Sequence, residues 1–268
     1  MAATEKDQSA IEKAKQLNNI PWCDEYEKMI SGMLYDSFVS ELEAGRFRAR
    51  AWCHKFNNWF PHEDPTMDFR RLCEARRKLL PEIFGAVGPE STIEPPFICD
   101  YGSNIRIGSR FFANFGCIIL DCGLVEIGDR VMFGPNVHLY AATHETEVES
   151  RRKDIEYTRP IVIEDDVWVG GQAVILPGVT IGKGSTVSAA SVVTRDVPPW
   201  SVVRGAPARV VKQVTPVEDL PKGTTPSPVT SPRYEQYGSS SQLNNEDREQ
   251  QLCNPKHIAS SKSILEEY

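Results

Sequence analysis

The chain has 268 residues, 40% of them apolar and a quarter charged, with a formal charge of −7. That length supports one or two domains with a sizeable core, and the acidic balance argues against a nucleic-acid binder, whose surface is usually basic. No apolar run reaches the roughly 20 residues that span a bilayer, and residues 1–20 lack the apolar stretch of a secretory signal.

Residues 1–20 read as a flexible extension and 21–87 as a small helical domain. Tyr26, Met29, Ile30 and Met33 recur at three and four residues, followed by Phe38, Leu42 and Phe47, then Trp52 and Phe56. Residues 68–80 continue with Phe69, Leu72, Leu79 and Leu80 among arginines, and Pro61 and Pro65 separate the helices. The segment 88–96 is a junction with three prolines.

From there the period changes. Ile163, Val169, Ile175, Ile181, Val187 and Val193 return every sixth position, and the positions two earlier (Ile161, Val167, Ala173, Val179, Ser185, Ser191) are small or apolar. Helices repeat near 3.6 residues and ordinary strands at 2. A period of six suits a coil of short flat strands, each ending in a turn, with one side chain per strand pointing inward. Ile105, Ile107, Val125, Ile127, Phe133 and Leu139 belong to earlier rungs, and glycines at 108, 128, 134, 170 and 182 follow the inward residue. The coil domain spans 88–213. Its rhythm stops at 144–160, an almost wholly polar excursion; loops on a rigid scaffold are favoured places for chemistry. Residues 214–268 are rich in Pro, Ser, Gly and Asn, and read as a largely disordered tail.

Seven cysteines without a Cys-x-x-Cys pair suggest a reducing, cytoplasmic setting rather than a disulfide framework. Of five histidines, His54 sits in a helix, His62 in a linker, His138 on a rung and His257 in the tail. His144 stands where the coil opens into the excursion. Histidine is the side chain whose unperturbed pKa lies near neutrality, as a general base requires.

The rungs resemble the hexapeptide-repeat proteins, and the ordered motifs resemble the maltose/galactoside O-acetyltransferase family over residues 24–213. Those motifs are Met33-Leu34-Tyr35-Asp36, Glu94-Pro95-Pro96, Tyr101-Gly102-Ser103-Asn104, Ala113-Asn114-Phe115, Gly134-Pro135-Asn136-Val137, Ala142-Thr143-His144, Val167-Trp168-Val169-Gly170 and Pro207-Ala208-Arg209. The resemblance implies a mainly β fold, a left-handed parallel β-helix with a small N-terminal helical domain. It also implies homotrimers with sites between subunits, and acetyl transfer from acetyl-CoA to a sugar hydroxyl. It gives His144 as base, Glu156 as its partner or else a solvated loop charge, and Asn114 as an acceptor-orienting amide or else a turn residue. Asp36, Asp100, Phe112 and Asp121 fall at acceptor positions. Asp100, Phe112 and Cys122 depart from the galactoside-type residues, which favours a maltose-type or altered pocket. Trp168, Gly171, Ala189, Thr194, Arg195 and Arg209 fall at coenzyme positions. Trp168 alternatively packs, the arginines are alternatively solvated, and Ser188-Ala189-Ala190 replaces the family's Gly-Ala-Gly. The competing functions are a non-catalytic trimeric scaffold and acetylation of a non-sugar acceptor such as serine. A shared-histidine zinc site lacks its third rung histidine.

Overall fold

The computed structural model describes residues 2–61, 64–216 and 219. The expected tail, with Cys253 and His257, therefore lies almost wholly outside the described residues, as does His62.

The six-residue period resolves into a left-handed parallel β-helix of triangular section. Face one holds Ala86–Val87, Ile105–Ile107, Val125–Ile127, Ile161–Ile163 and Thr180–Ile181; face two runs from Thr92–Ile93 through Phe112–Ala113, Met132–Phe133, Trp168–Val169 and Thr186–Val187 to Ser201–Arg204. Face three holds Phe97–Cys99, Cys117–Leu120, His138–Tyr140, Val174–Ile175 and Val192–Val193. Successive members of the repeat fall on successive faces, so each face contributes a column of inward side chains. Ile107, Ile127, Ile163 and Ile181 are in register on face one, and Ala113, Phe133, Val169 and Val187 on face two. All are buried in one core.

Glycine lets neighbouring coils approach. A Cβ on Gly170 would stand 2.5 Å from Ala189 N, and one on Gly134 2.6 Å from Gly171 N. The corners, by contrast, hold many side chains in left-handed backbone, including Ala190 at φ 58°, a conformation that costs an L residue about 1–2 kcal/mol.

In the early coils the corner between faces three and one is wider than the others, and it narrows again to six residues from Ile175 to Ile181 in the last. Val169 to Ile175 takes six residues, whereas Cys99 to Ile107 and Ile119 to Ile127 each take eight, and the excursion leaves from the same corner one coil later. This excursion is more than a loop. Ile155–Thr158 returns antiparallel to Ala142–Thr143 on one side and to Tyr35–Asp36 on the other. Its short helix Val148–Arg151 buries nothing.

Both ends of the coil need covers for their exposed core and strand edges. Helices α1 (Gln8–Ala14), α2 (Asp24–Ile30), α3 (Ser40–Asn58) and α4 (Phe69–Arg77) precede the first rung. Helix α3 sets Ala49, Trp52, Cys53 and Phe56 against Phe84, Phe97 and the first rungs, and Trp52 stacks on Phe56 at 4.8 Å. Phe38, Phe47 and Phe69 depart from the expected apolar stripe: they are exposed, because the buried face of α3 is carried by Leu42, Ala49, Trp52 and Phe56 and that of α4 by Leu72 and Cys73. At the other end Arg209–Gln213 folds back antiparallel on Ser201–Arg204 and closes face two.

The extension expected to be flexible differs as well. Asp7 caps α1 by accepting from Ser9 N and Ala10 N. Ala10, Ile11 and Ala14 are buried in a second apolar cluster with Tyr26, Ile30 and Leu124, and Lys13 pairs with Glu126 on face one. Three small or aliphatic side chains at helical spacing suffice to dock so short a helix, a pattern too brief to stand out in the sequence.

Candidate active site

At the wide corner, under the helical region, lies a cleft of about 450 Å³ lined by Phe38, Asp100, Tyr140, His144 and Glu156, among others. Strand pairing builds its chemical end. Thr143 lies opposite Tyr157 in an antiparallel pair, so His144, one residue later, and Glu156, one residue earlier, face each other. Glu156 Oε2 stands 3.6 Å from His144 Nε2, an ion-pair distance; the imidazole is 55% exposed and the carboxylate 18%. The other Glu156 oxygen accepts from the Tyr35 hydroxyl. Tyr35 is buried. Burial, and then the neighbouring Cys122 and Glu156, push its phenol well above its ordinary pKa, so it remains a donor.

The opposite wall is Asp100, whose carboxylate faces Arg50 of α3 at 3.6 Å and receives the Cys122 thiol at 3.5 Å. Burial, then the charges of Asp100 and Glu156, push the Cys122 thiol well up, which leaves it a neutral packing and donor group. Tyr101 is held by Arg46, whose guanidinium donates to its hydroxyl at 2.7 Å. Tyr140 shares a 2.9 Å hydrogen bond with His138 Nδ1, which gives that rung histidine an orienting partner.

Asp121 is not on the cleft wall. It is buried, and its Oδ1 accepts from the backbone N–H of Asp100 and Tyr101 at 3.0 and 2.9 Å. The carboxylate thus turns inward to satisfy backbone donors, and where an acceptor contact was expected it braces the backbone that carries Asp100. Its carboxyl is pushed up to about 7, chiefly by burial. Asp36 is exposed and accepts from Phe38 N at 2.8 Å; it caps the turn leading to the cleft rim rather than lining the cleft.

The remaining sequence-selected residues lie elsewhere. Phe112 and Trp168 point outward on face two, in a ladder with Met132 between them. Asn114 follows that face, and its Oδ1 accepts from Phe115 N at 2.8 Å. Gly171 and Ala189 stack at the same corner in later coils, where Ala190 N donates to Gly171 O at 2.9 Å. Arg209 begins the strand above this edge, beside Ala208, whose N–H donates to Val192 O. Thr194 and Arg195 follow face three and are exposed above the excursion corner. Within one chain the sequence-selected set therefore occupies two edges of the prism, on either side of face three. Asn114 does not share a cleft with His144, because a whole face separates their corners.

Tyr35 lies inside the motif Met33-Leu34-Tyr35-Asp36, but nothing in the sequence marks it, or Arg46, Arg50, Phe38 and Tyr140, as part of the site. The contacts of Tyr35, Arg46 and Arg50 join α3 or the strand before it to corners far along the chain, and no local spacing reports that. Among the described residues, no group of three or more His, Cys, Asp or Glu is placed to hold a metal, and no helix is long and apolar enough to cross a membrane.

Comparison with known proteins agrees with this architecture. Residues 28–88 match the maltose acetyltransferase hexapeptide capping motif, and residues 160–195 match the bacterial transferase hexapeptide family of six repeats. Nodulation protein L of Rhizobium meliloti is 44% identical over 184 residues, covering 69% of this chain and 96% of that protein. A solved maltose O-acetyltransferase from Clostridium difficile 630 aligns with a TM-score of 0.65 at 41% identity, over 72% of this chain and 99% of the other. A galactoside acetyltransferase solved in complex with coenzyme A aligns with a TM-score of 0.66 at 38% identity, over 72% and 92%. The chain belongs to the hexapeptide-repeat acyltransferase family, in close homology to the galactoside and maltose O-acetyltransferases.

Proposed function

We infer that this chain is an acetyl-CoA-dependent O-acetyltransferase acting on a sugar hydroxyl, with His144 as general base. The observation that carries the reading is the His144–Glu156 pair at 3.6 Å in an open cleft at the interruption of the coil. The imidazole takes the proton of the acceptor hydroxyl as its oxygen attacks the thioester carbon, and the Glu156 carboxylate stabilises the imidazolium so formed; the tetrahedral adduct then collapses with cleavage of the carbon–sulfur bond, and the imidazolium returns the proton to the departing coenzyme A thiolate, which leaves as the thiol. Asp100 is an acceptor for sugar hydroxyls on the facing wall.

The coenzyme supplies an acetyl group activated as a thioester. The edge carrying Gly171 and Ala189 fits its long polar arm. Among the described residues, neither backbone N–H has an acceptor, while both positions lie at the prism surface, so both are available to the arm's amide carbonyls. Arg195 and Arg209 are exposed at the last coil and offer forked donors to phosphate.

The site is completed by a second subunit. Phe112, Met132 and Trp168 form an exposed apolar ladder on face two, which a homotrimer covers while bringing one chain's Asn114 edge against another's His144 edge. A cyclic trimer is thus the proposed assembly.

The test is thioester consumption from acetyl-CoA with a panel of mono- and disaccharides, comparing wild type with His144→Ala. The expected loss is about 10²–10⁴-fold in kcat, with little change in melting temperature because the ring is half exposed. Equal turnover by both proteins refutes the base assignment. Absence of turnover with every sugar favours the scaffold or an acceptor such as serine.

A further inference from the structure

We propose that Tyr35 is a positioning residue for the reaction: its hydroxyl fixes one oxygen of Glu156 so that the other faces His144. This rests on the reading of His144 as base and Glu156 as its partner.

The excursion cannot hold Glu156 by itself. Its helix buries no residue, and much of 144–154 is exposed. A glutamate on such a segment has three free torsions and ordinarily points to water. Here the backbone around Glu156 is pinned by two strands. Tyr35 lies directly opposite Glu156, and Thr143 opposite Tyr157.

Tyr35 then anchors the side chain. Its ring is embedded in the cluster of Tyr26, Leu42, Tyr101, Cys122 and Leu124, so its hydroxyl occupies a fixed point. That hydroxyl donates to Glu156 Oε1, and Oε2 remains directed at His144 Nε2 at 3.6 Å. Binding one oxygen fixes the carboxylate plane, as outer partners of a catalytic histidine commonly do. Because the phenol keeps its proton, it competes for no charge and cannot replace Glu156 as the imidazolium's counter-ion. The helical region thus does more than cover the acceptor: the strand that begins with Tyr35 sets the geometry of the base.

The experiment compares Tyr35→Phe, Glu156→Gln, their double variant and His144→Ala in the full-length protein, measuring kcat, the KM for acetyl-CoA and the melting temperature. Tyr35→Phe is expected to lower kcat about tenfold and to leave the KM for acetyl-CoA within about twofold. The double variant should be no slower than Glu156→Gln, because both changes disable one device. Full kcat in Tyr35→Phe alongside losses in Glu156→Gln and His144→Ala overturns the positioning role alone. Losses that simply multiply in the double variant overturn it too, since they mark a structural effect independent of Glu156. Full turnover in His144→Ala overturns the underlying mechanism instead. Should Tyr35→Phe fail to fold, Glu156→Asp replaces it. The shorter carboxylate keeps its charge but cannot span both partners, so kcat should fall as in Glu156→Gln, and an unchanged kcat overturns the proposal.

Discussion

Replacing Gly170 by alanine tests the packing of the coil and the coenzyme edge together. The added Cβ would stand 2.5 Å from Ala189 N, 2.9 Å from its Cα and 3.0 Å from Ser188 C. These atoms are all backbone, so no side-chain rotation relieves them. Reaching an ordinary contact near 3.4 Å requires a shift of about 0.9 Å between two coils locked by the hydrogen bonds Gly170 N to Val187 O and Ala190 N to Gly171 O. Overpacking usually costs about 1–3 kcal/mol, and an unyielding neighbour puts this case near the upper end. At about 2–4 °C per kcal/mol for a domain of this size, the melting temperature should fall by roughly 6–12 °C. The displaced Ala189 N–H is one of the two donors assigned to the coenzyme arm. Weakening one neutral hydrogen bond is worth about 0.5–1.5 kcal/mol, so the KM for acetyl-CoA should rise about two- to tenfold with kcat largely kept. Thermal denaturation and steady-state kinetics measure the two effects separately. A melting temperature within about 2 °C of wild type would refute the claim that glycine is required by coil spacing, and an unchanged KM beside a large thermal loss would remove Ala189 from the coenzyme site.

Asp121 gives a pH prediction. Its carboxyl is held at about 7 in the fold, chiefly by burial, against about 3.9 in an unfolded chain. The native state therefore keeps a proton that the unfolded state releases, so this group's contribution is fully present below about pH 4 and is lost as pH rises to about 7. Asp121→Asn retains an oxygen for the N–H groups of Asp100 and Tyr101 and does not ionise. It should gain stability on wild type between pH 5 and pH 8, by a few kcal/mol at most, on the order of 1.4 per pH unit; a difference in melting temperature that stays constant over that range contradicts the assignment. Arg195→Ala and Arg209→Ala should each raise the KM for acetyl-CoA about tenfold, the value of a charge-assisted hydrogen bond, and leave kcat intact. Equal KM values return both arginines to the role of solvated surface charge.

The fold was legible because the six-residue repeat records the geometry of one prism face. The inward column Ile107, Ile127, Ile163 and Ile181 follows from apolar residues arriving at each face in turn. The break at 144–160 was equally plain, since a polar stretch cannot sit inside such a core. Helix α1 was missed because seven residues with three buried side chains carry too little periodicity. Asp121 was misread because a motif gives a carboxylate's position and not its direction. At this corner two unpaired backbone N–H groups draw it inward.

By itself, the sequence determined the coil of six-residue strands, its glycine-spaced rungs and the place where it opens at His144, because these depend on local period and on what a turn can accommodate. The tertiary structure decided what surrounds that opening. Tyr35 reaches Glu156 across 121 positions, Arg50 reaches Asp100 from a separate helix, and Asn114 lies on a different edge from His144. These relations arise when side chains from distant segments share one buried environment, where an unpaired donor or charge is costly, and no spacing along the chain encodes which groups will meet there.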